Sequence, residues 1–172
     1  MSGRVQTSWR VAYLLAAAGI FLVDQVTKAW AVRALRFGRD VTLIPGLLDL
    51  SYAENTGIAF GQLQNGGDTG RWLLVSLALA AAVAVIIYFF RTPRTDDRVL
   101  GACALLLAGI AGNLTDRARL GYVIDFIVLH AGDSFYWPTF NVADASICLG
   151  AGLLALDLIL EGRKQKEVAS SQ

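Results

Sequence analysis

Two acidic residues, Asp125 and Asp144, lie in surroundings where a carboxyl group could do chemistry. Asp125 belongs to the segment Gly121-Tyr122-Val123-Ile124-Asp125-Phe126, in which large apolar side chains surround one acid and disfavour its ionised form. Two carboxyl groups that meet in a partly dry pocket share one proton, so one activates a water as general base while the other polarises a carbonyl. Such a pair titrates as a unit and requires no metal or cofactor. Aspartic peptidases use this chemistry.

Further polar residues recur at helical spacing inside apolar stretches. Asn113, Asp116 and Arg117 stand at i, i+3 and i+4, and Asn141 and Asp144 at i and i+3, so each set shares one helix face. We therefore expect a polar pocket between helices. The single histidine, His130, has no ligand-spaced partner, so neither a zinc site nor a Ser/His/Asp triad is predicted.

The composition indicates that these residues are held by a membrane protein. The chain has 172 residues, of which 55% are hydrophobic and only 17% are charged, which is more apolar than a soluble domain of this size. The net charge of +1 and the lack of a basic block interleaved with aromatics argue against nucleic-acid binding. The solvent that this chain requires is a lipid bilayer.

Four apolar stretches have nearly the length that a helix needs to cross the hydrocarbon, namely 11–32, 72–90, 99–115 and 140–160. The first is not a cleaved signal sequence, because Asp24 and Lys28 interrupt it where a signal sequence has no use for charge. We predict one integral membrane domain over 1–172, all-α in class, with an outer loop at 33–71 and a frayed tail at 162–172.

Basic residues predict that both termini face the cytoplasm. Short basic segments lie before the first span, between the second and third, and after the fourth, whereas the basic residues of 33–71 are spread over a longer loop. In this orientation Asp24 lies about 20 Å above Val11, in the outer third of the bilayer. The polar residues of the third and fourth spans also fall at their outer ends. We therefore expect the pocket to face the outer side.

The outer loop is predicted to contain a short β-hairpin. Leu48, Leu50 and Tyr52 alternate with smaller or polar residues, the segment 54–57 reads as a turn, and Ile58 and Phe60 alternate after it. A hairpin of this size is unstable alone, so it must lie on the membrane or against the helices. There it would roof the pocket.

Other roles for these polar residues remain open at this stage. Asp24, Lys28, Asp116 and Arg117 fit buried ion pairs that fasten helices together, and Asn113 and Asn141 fit interhelical hydrogen bonds as well as substrate binding. Carboxylates in membrane spans also serve proton relays and ion sites. A small proton- or ion-coupled transporter and a non-catalytic scaffold are therefore the alternatives to a peptidase.

Five sequence blocks in order resemble the bacterial lipoprotein signal peptidases, or signal peptidase II. They are Asp24-Gln25-Val26-Thr27-Lys28, Asn55-Thr56-Gly57-Ile58-Ala59-Phe60, Gly112-Asn113-Leu114-Thr115-Asp116-Arg117, the segment around Asp125, and Phe140-Asn141-Val142-Ala143-Asp144. The blocks extend from the first span to the fourth. Ile58 departs from the family, which more often has a small residue after the glycine.

The resemblance implies a four-helix membrane bundle with a small periplasmic β-cradle on the outer leaflet of the bacterial inner membrane. It implies prolipoproteins carrying diacylglycerol on a cysteine as substrates, cleavage just before that cysteine, and inhibition by globomycin-type cyclic peptides. Asp125 and Asp144 match the catalytic pair. The positions that match residues lining or supporting the site are Asp24, Lys28, Asn55, Gly57, Asn113, Asp116, Arg117 and Asn141.

Overall fold

The computed structural model describes residues 2–57 and 67–170, which form a helical bundle with a small sheet at one end. The helices are α1 (Ser2–Ala34), α2 (Gly67–Arg91), α3 (Asp97–Leu120) and α4 (Val142–Ser170). The strands are β1 (Val41–Ile44), β2 (Leu48–Asn55), β3 (Val123–Ala131) and β4 (Phe135–Tyr136). Two strands precede α2 and two separate α3 from α4, so the sheet joins two distant parts of the chain.

Within the described residues, four helices are long and apolar enough to cross a membrane, which confirms the predicted fold class. Their apolar spans are Trp9–Ala34, Asp68–Arg91, Asp97–Leu120 and Val142–Gly162. Large apolar side chains remain exposed along these helices, among them Leu22, Leu77, Val83, Ile87 and Leu158. Such a surface is stable when lipid covers it, because lipid tails are as apolar as the side chains.

All four helices extend beyond the spans predicted from the sequence. The largest difference concerns the tail, which was expected to be frayed from residue 162 but is helical as far as Ser170. The segment is rich in Glu, Lys, Gln and Arg, which have high helix propensity even where no apolar face is buried. The hydrophobic stretch therefore ends before the helix does.

Helix α3 occupies the centre of the bundle. In its apolar stretch of 18 residues 56% are buried, compared with 17% in the corresponding stretch of each of the other three helices. Its glycines allow close approach to α4. A Cβ atom added at Gly109 would collide with the backbone oxygen of Ala143, and one at Gly150 would lie 2.9 Å from the backbone oxygen of Ala102. Small residues at these contacts allow close van der Waals packing, which holds helices together in lipid because the hydrophobic effect cannot do so there.

The strands form an antiparallel sheet in the order β1-β2-β3-β4. Strand β2 pairs with β3 over most of its length, with Ala53 opposite Asp125 and Asn55 opposite Val123. Leu35 at the end of α1 and Phe126 in β3 are buried together in a small apolar core. The sheet is therefore fastened to the bundle by α1 as well as by the chain connections.

The outer loop contains a hairpin formed by β1 and β2, on the N-terminal side of the one that the sequence predicted. The chain reverses at Pro45-Gly46, where Leu47 N–H donates to the Ile44 carbonyl at 3.0 Å and Gly46 has φ +76°. Glycine adopts this left-handed conformation without the steric cost that other residues meet. The segment 54–57, predicted as the turn, instead includes the end of β2, and Ile58 and Phe60 lie outside the described residues.

Strand β3 was not predicted, although it holds one of the two candidate acids. Its run Val123-Ile124-Asp125-Phe126-Ile127-Val128 is rich in β-branched residues, which is a strand signal. The partner of β3 is β2, with Asn55 opposite Val123 and Leu48 opposite Leu129, so no local turn pattern marks the pairing.

We expect Gly109→Ala to lower the free energy of unfolding by about 1–3 kcal/mol, because the methyl group forces α3 away from α4. The matched control is Gly101→Ala in the same helix, where an added Cβ meets nothing within 4 Å. This control should be neutral or more stable by up to about 1 kcal/mol. Thermal unfolding of the purified variants in detergent measures both, and equal stability of the two would contradict the close approach.

Candidate active site

Strand β3 places Asp125 at the inner side of the sheet, where its carboxyl group is 2% exposed. The side-chain amide of Asn55 donates to one oxygen at 3.0 Å, and that of Asn141 donates to the other at 2.7 Å. Burial and the nearby charge of Asp144 raise the pKa of Asp125 to about 7, although both amide hydrogen bonds act in the opposite direction. This carboxyl group therefore keeps its proton up to about pH 7, well above the range in which an exposed Asp loses it.

Asp144 lies in the first turn of α4, and its position is fixed by the start of that helix. Asn141 precedes the helix, and its side-chain oxygen accepts the backbone N–H of Asp144 at 2.9 Å. In return, the Asp144 carboxyl group accepts the backbone N–H of Asn141 at 3.2 Å. This reciprocal pair is a capping box, which satisfies two donors that the start of a helix leaves without intrahelical partners.

Two asparagine side chains connect the candidate acids. Asn113 on α3 donates from its amide nitrogen to Asp144 at 2.7 Å, and its oxygen accepts from the Asn141 amide at 3.2 Å. The same Asn141 amide donates to Asp125 at 2.7 Å. Asp125 and Asp144 are thus brought into one buried network from a strand and a helix, as the polar pocket predicted from the sequence requires.

Below this network, Lys28 on α1 is buried at 2% exposure between two carboxylates. Its ammonium lies 2.9 Å from an oxygen of Asp24 and 2.9 Å from an oxygen of Asp116, and it donates to the Asn113 oxygen at 3.1 Å. One positive and two negative charges occupy the cluster, and each of its three side chains is paired. Removing Lys28 would leave both carboxylates without their cation in an apolar setting, which is strongly destabilising.

The two carboxylates of this cluster also hold the elements that carry the candidate acids. Asp24 accepts the backbone N–H of Ala143, in the first turn of α4, at 2.9 Å. Asp116 accepts the backbone N–H of Ile124, next to Asp125, at 3.3 Å. The expected scaffold role of Asp24, Lys28 and Asp116 thus has a direct geometric basis, since each ion-paired acid also orients one of these two segments.

Arg117 does not join this ion-pair cluster, although the sequence placed it on the same helix face as Asp116. Its guanidinium donates to the backbone oxygen of Gly57 at 3.0 Å. Gly57 N–H in turn donates to the side-chain oxygen of Asn55 at 3.1 Å, and Asn55 donates to Asp125. Arg117 therefore fixes the end of β2, which orients the amide that contacts the candidate acid.

An apolar groove of about 430 Å³ opens beside Asp144. Its walls include Leu129 and Trp137 from the sheet side and Ile147 and Cys148 from α4. A groove of this volume is within the range of ligand sites, which are mostly apolar with a few polar groups. Here the polar residues of the lining are Thr139 and Asp144, so an apolar ligand in the groove would lie next to the carboxyl network.

Sequence reasoning missed two polar contacts around the site. Arg71 donates to the backbone oxygens of Arg117 at 2.9 Å and Ala118 at 2.7 Å, and so satisfies carbonyls at the end of α3. His130 lies 3.0 Å from the Asp49 carboxylate, across the pairing of β2 with β3. A basic residue after a loop and an acid on a distant strand carry no local signal, so only the tertiary structure reveals these pairs.

The chain matches known proteins over nearly its whole length. The family model described as Signal peptidase (SPase) II matches residues 16–160. A lipoprotein signal peptidase of Pseudomonas syringae pv. tomato is 40% identical over 149 residues, covering 87% of this chain and 86% of that protein. Its counterpart in Symbiobacterium thermophilum is 42% identical over 144 residues, covering 83% and 91%.

Solved structures agree with these relatives. A structure described as a bacterial membrane enzyme superposes with a TM-score of 0.81 at 29% identity, covering 91% of this chain and 92% of that chain. A second structure with the same description gives a TM-score of 0.74, also at 29% identity. From the extent of the match and the shared architecture, the chain belongs to the signal peptidase II family, membrane proteases that remove signal peptides from lipoproteins.

Proposed function

We propose that this chain is an aspartic endopeptidase in which Asp125 and Asp144 activate a water molecule against the scissile peptide bond. The observation that carries the proposal is the buried amide network, in which the Asn141 amide donates to Asp125, the Asn113 amide donates to Asp144, and the two asparagines contact each other. A shared proton between two buried acids lowers the cost of holding both in one pocket. The other polar groups of the site orient this pair.

The proposed reaction begins with one proton on the pair, held by Asp125. The ionised Asp144 accepts a proton from the water as its oxygen attacks the scissile carbonyl, and the Asp125 proton is donated to the developing oxyanion. When the tetrahedral intermediate collapses, the C–N bond breaks and the proton held by Asp144 passes to the leaving amine. The proton on the oxyanion returns to Asp125, so the pair ends in its starting state.

The apolar groove supports a lipid-bearing substrate. We assign it to an acyl chain of a diacylglyceryl-modified prolipoprotein, because its walls are apolar and Asp144 lies at its edge. Each buried CH₂ contributes about 0.8 kcal/mol, so a bound chain would hold the modified cysteine at one depth. The cut is then made just before that cysteine, and the lipid sets the register of the peptide.

The membrane placement that fits this substrate has both termini in the cytoplasm and the site at the outer face of the bacterial inner membrane. This orientation is supported by the positive-inside tendency, because Arg94 lies in the α2–α3 connection, Arg98 lies in the first turn of α3, and a basic tail follows residue 162. The sheet then forms a periplasmic cradle on the outer leaflet. A peptide can enter from water there while its acyl chains stay in the hydrocarbon.

Inhibition by globomycin-type cyclic peptides belongs to the same proposal. Such a ligand would bind between the sheet and the helices, where it would block access of water and peptide to Asp125 and Asp144. The groove beside Asp144 offers an apolar surface for its lipid-like part. The transporter alternative lacks comparable support, because the network around Asp125 and Asp144 is concentrated at one end of the bundle.

Asp125→Asn and Asp144→Asn should each reduce cleavage of a lipidated precursor at least about 100-fold, because an amide cannot exchange the proton that the reaction requires. The matched control is Asp133→Asn, which alters an exposed carboxylate in the turn after β3 and should leave the rate unchanged. Cleavage is measured with purified protein in detergent, and circular dichroism reports folding. Near-normal turnover by Asp125→Asn or Asp144→Asn would rule out the assignment of these residues as the catalytic pair.

The proposed proton on Asp125 predicts a decline in kcat/KM as the pH rises through about 7, where this carboxyl group loses it. Asn55→Ala removes an amide that lowers the pKa of Asp125, so the alkaline limb of the profile should move to higher pH. Tyr52→Phe in the same strand, which removes a hydroxyl bonded to Glu54, should leave the limb in place. A uniform loss of rate at every pH in Asn55→Ala would speak against the titration.

Filling the apolar groove should weaken the binding of lipidated substrate specifically. Cys148→Trp places a large side chain in the groove, and we expect a rise of about tenfold in KM for the lipidated precursor. Leu149→Trp is the matched control, since it adds the same ring at the adjacent exposed position outside the groove lining. Equal KM values for the two variants, or equal turnover of lipidated and unlipidated wild-type substrate, would refute the groove assignment.

A further inference from the structure

A second cavity lies at the end of the bundle opposite Asp125 and has no part in the proposed reaction. It has a volume of about 300 Å³ and is lined by Trp9, Arg10, Arg91, Thr92, Pro93 and Arg94. The apolar span of α1 begins at Trp9 and that of α2 ends at Arg91. The cavity therefore lies at the level where hydrocarbon gives way to the aqueous boundary.

The charge of this cavity is positive. Three of its lining residues are arginines and none is acidic, and among the described side chains no carboxylate lies within 4 Å of a guanidinium nitrogen of Arg10, Arg91 or Arg94. A neighbouring cavity of about 330 Å³ shares Arg91 but is lined by three acids, Asp96, Asp157 and Glu161. The positive charge is thus confined to the first cavity, which suits an anion.

Two hydrogen-bond donors in the same lining lack acceptors. Trp9 Nε1 and Arg10 Nε are buried, and neither has a hydrogen-bond partner among the described residues. Buried donors are satisfied in the great majority of protein structures, so each unsatisfied one requires an explanation. An oxyanion in the cavity would offset the arginine charges, and it would be an acceptor for either donor once that side chain turns towards the cavity.

The guanidinium of Arg10 is held in place before any ligand arrives. It donates to the backbone oxygens of Phe90 at 3.1 Å and Thr92 at 3.4 Å, and it lies over the rings of Trp9 and Phe90 at 5.4 and 5.6 Å. The guanidinium of Arg94 lies over the Trp9 ring at 5.9 Å. A fixed guanidinium loses little conformational entropy when it binds a phosphate group.

We propose that this cavity binds the phosphate of an anionic phospholipid headgroup in the leaflet opposite the peptidase site. Arginine is suited to phosphate because its planar donors match two oxygens at once. Exposed apolar side chains neighbour the lining residues: the Phe90 ring, 53% exposed, lies under the Arg10 guanidinium, and Val11, 42% exposed, follows Arg10 in the chain. They extend into the span, where they would contact the acyl chains of the same lipid, which favours a lipid over free phosphate.

The test compares lipids that differ in headgroup charge. Purified protein in detergent is titrated with phosphatidylglycerol, with phosphatidylcholine and with inorganic phosphate, and bound lipid is counted by native mass spectrometry. We expect selective retention of phosphatidylglycerol, and a loss of about tenfold in its affinity in Arg94→Gln, an exposed position that is compatible with folding. Arg98→Gln, an arginine of the same end outside the cavity lining, is the matched control and should bind as the wild type does.

Equal retention of phosphatidylglycerol and phosphatidylcholine, or an equal loss in Arg98→Gln, would overturn the site, because general surface charge would then explain the binding. Inorganic phosphate that binds as tightly as the lipid would overturn the lipid assignment. Cleavage activity in detergent does not enter this measurement. Failure of the headgroup site and failure of the proposed peptidase mechanism are therefore separate results.

Discussion

The arrangement of the site depends on the ion pairs of the buried Lys28 ammonium. A charge inside the bundle is tolerated only when it is paired, and Lys28 is paired with Asp24 from its own helix and Asp116 from α3. Each of these acids uses a second contact to hold a backbone N–H, of Ala143 and of Ile124. One ion-pair cluster thus ties α1 and α3 to the start of α4 and to β3.

That cluster positions the two carboxyl groups, Asp125 and Asp144. Asp125 follows Ile124 in β3, and Asp144 follows Ala143 in α4, so each acid is the next residue after a backbone group that the cluster holds. The helix cap then fixes Asp144 through Asn141, and the same Asn141 contacts Asp125. A capping box stabilises helix termini in many proteins. In this protein the capping box also sets the distance and orientation of the two acids.

The two ends of the bundle differ in chemistry because they meet different surroundings. At the sheet end, polar groups are buried and paired, and an apolar groove adjoins Asp144. At the other end, Arg10 and its neighbours line a cavity in which donors exceed acceptors among the described residues. Between them the helices expose apolar side chains to lipid. The bundle thus holds its ends at a fixed separation across the bilayer, with a distinct site proposed for each.

The sequence alone determined the four spans, the family and the common level of the polar residues, because hydropathy, helical spacing and motif order are local properties of the chain. It did not determine the strand β3, since the pairing of β2 with β3 joins residues far apart in the sequence. It also grouped Arg117 with the ion pairs, whereas Arg117 contacts Gly57. Helical spacing fixes which face a side chain occupies, but only the packing of the other elements decides which partner it meets there.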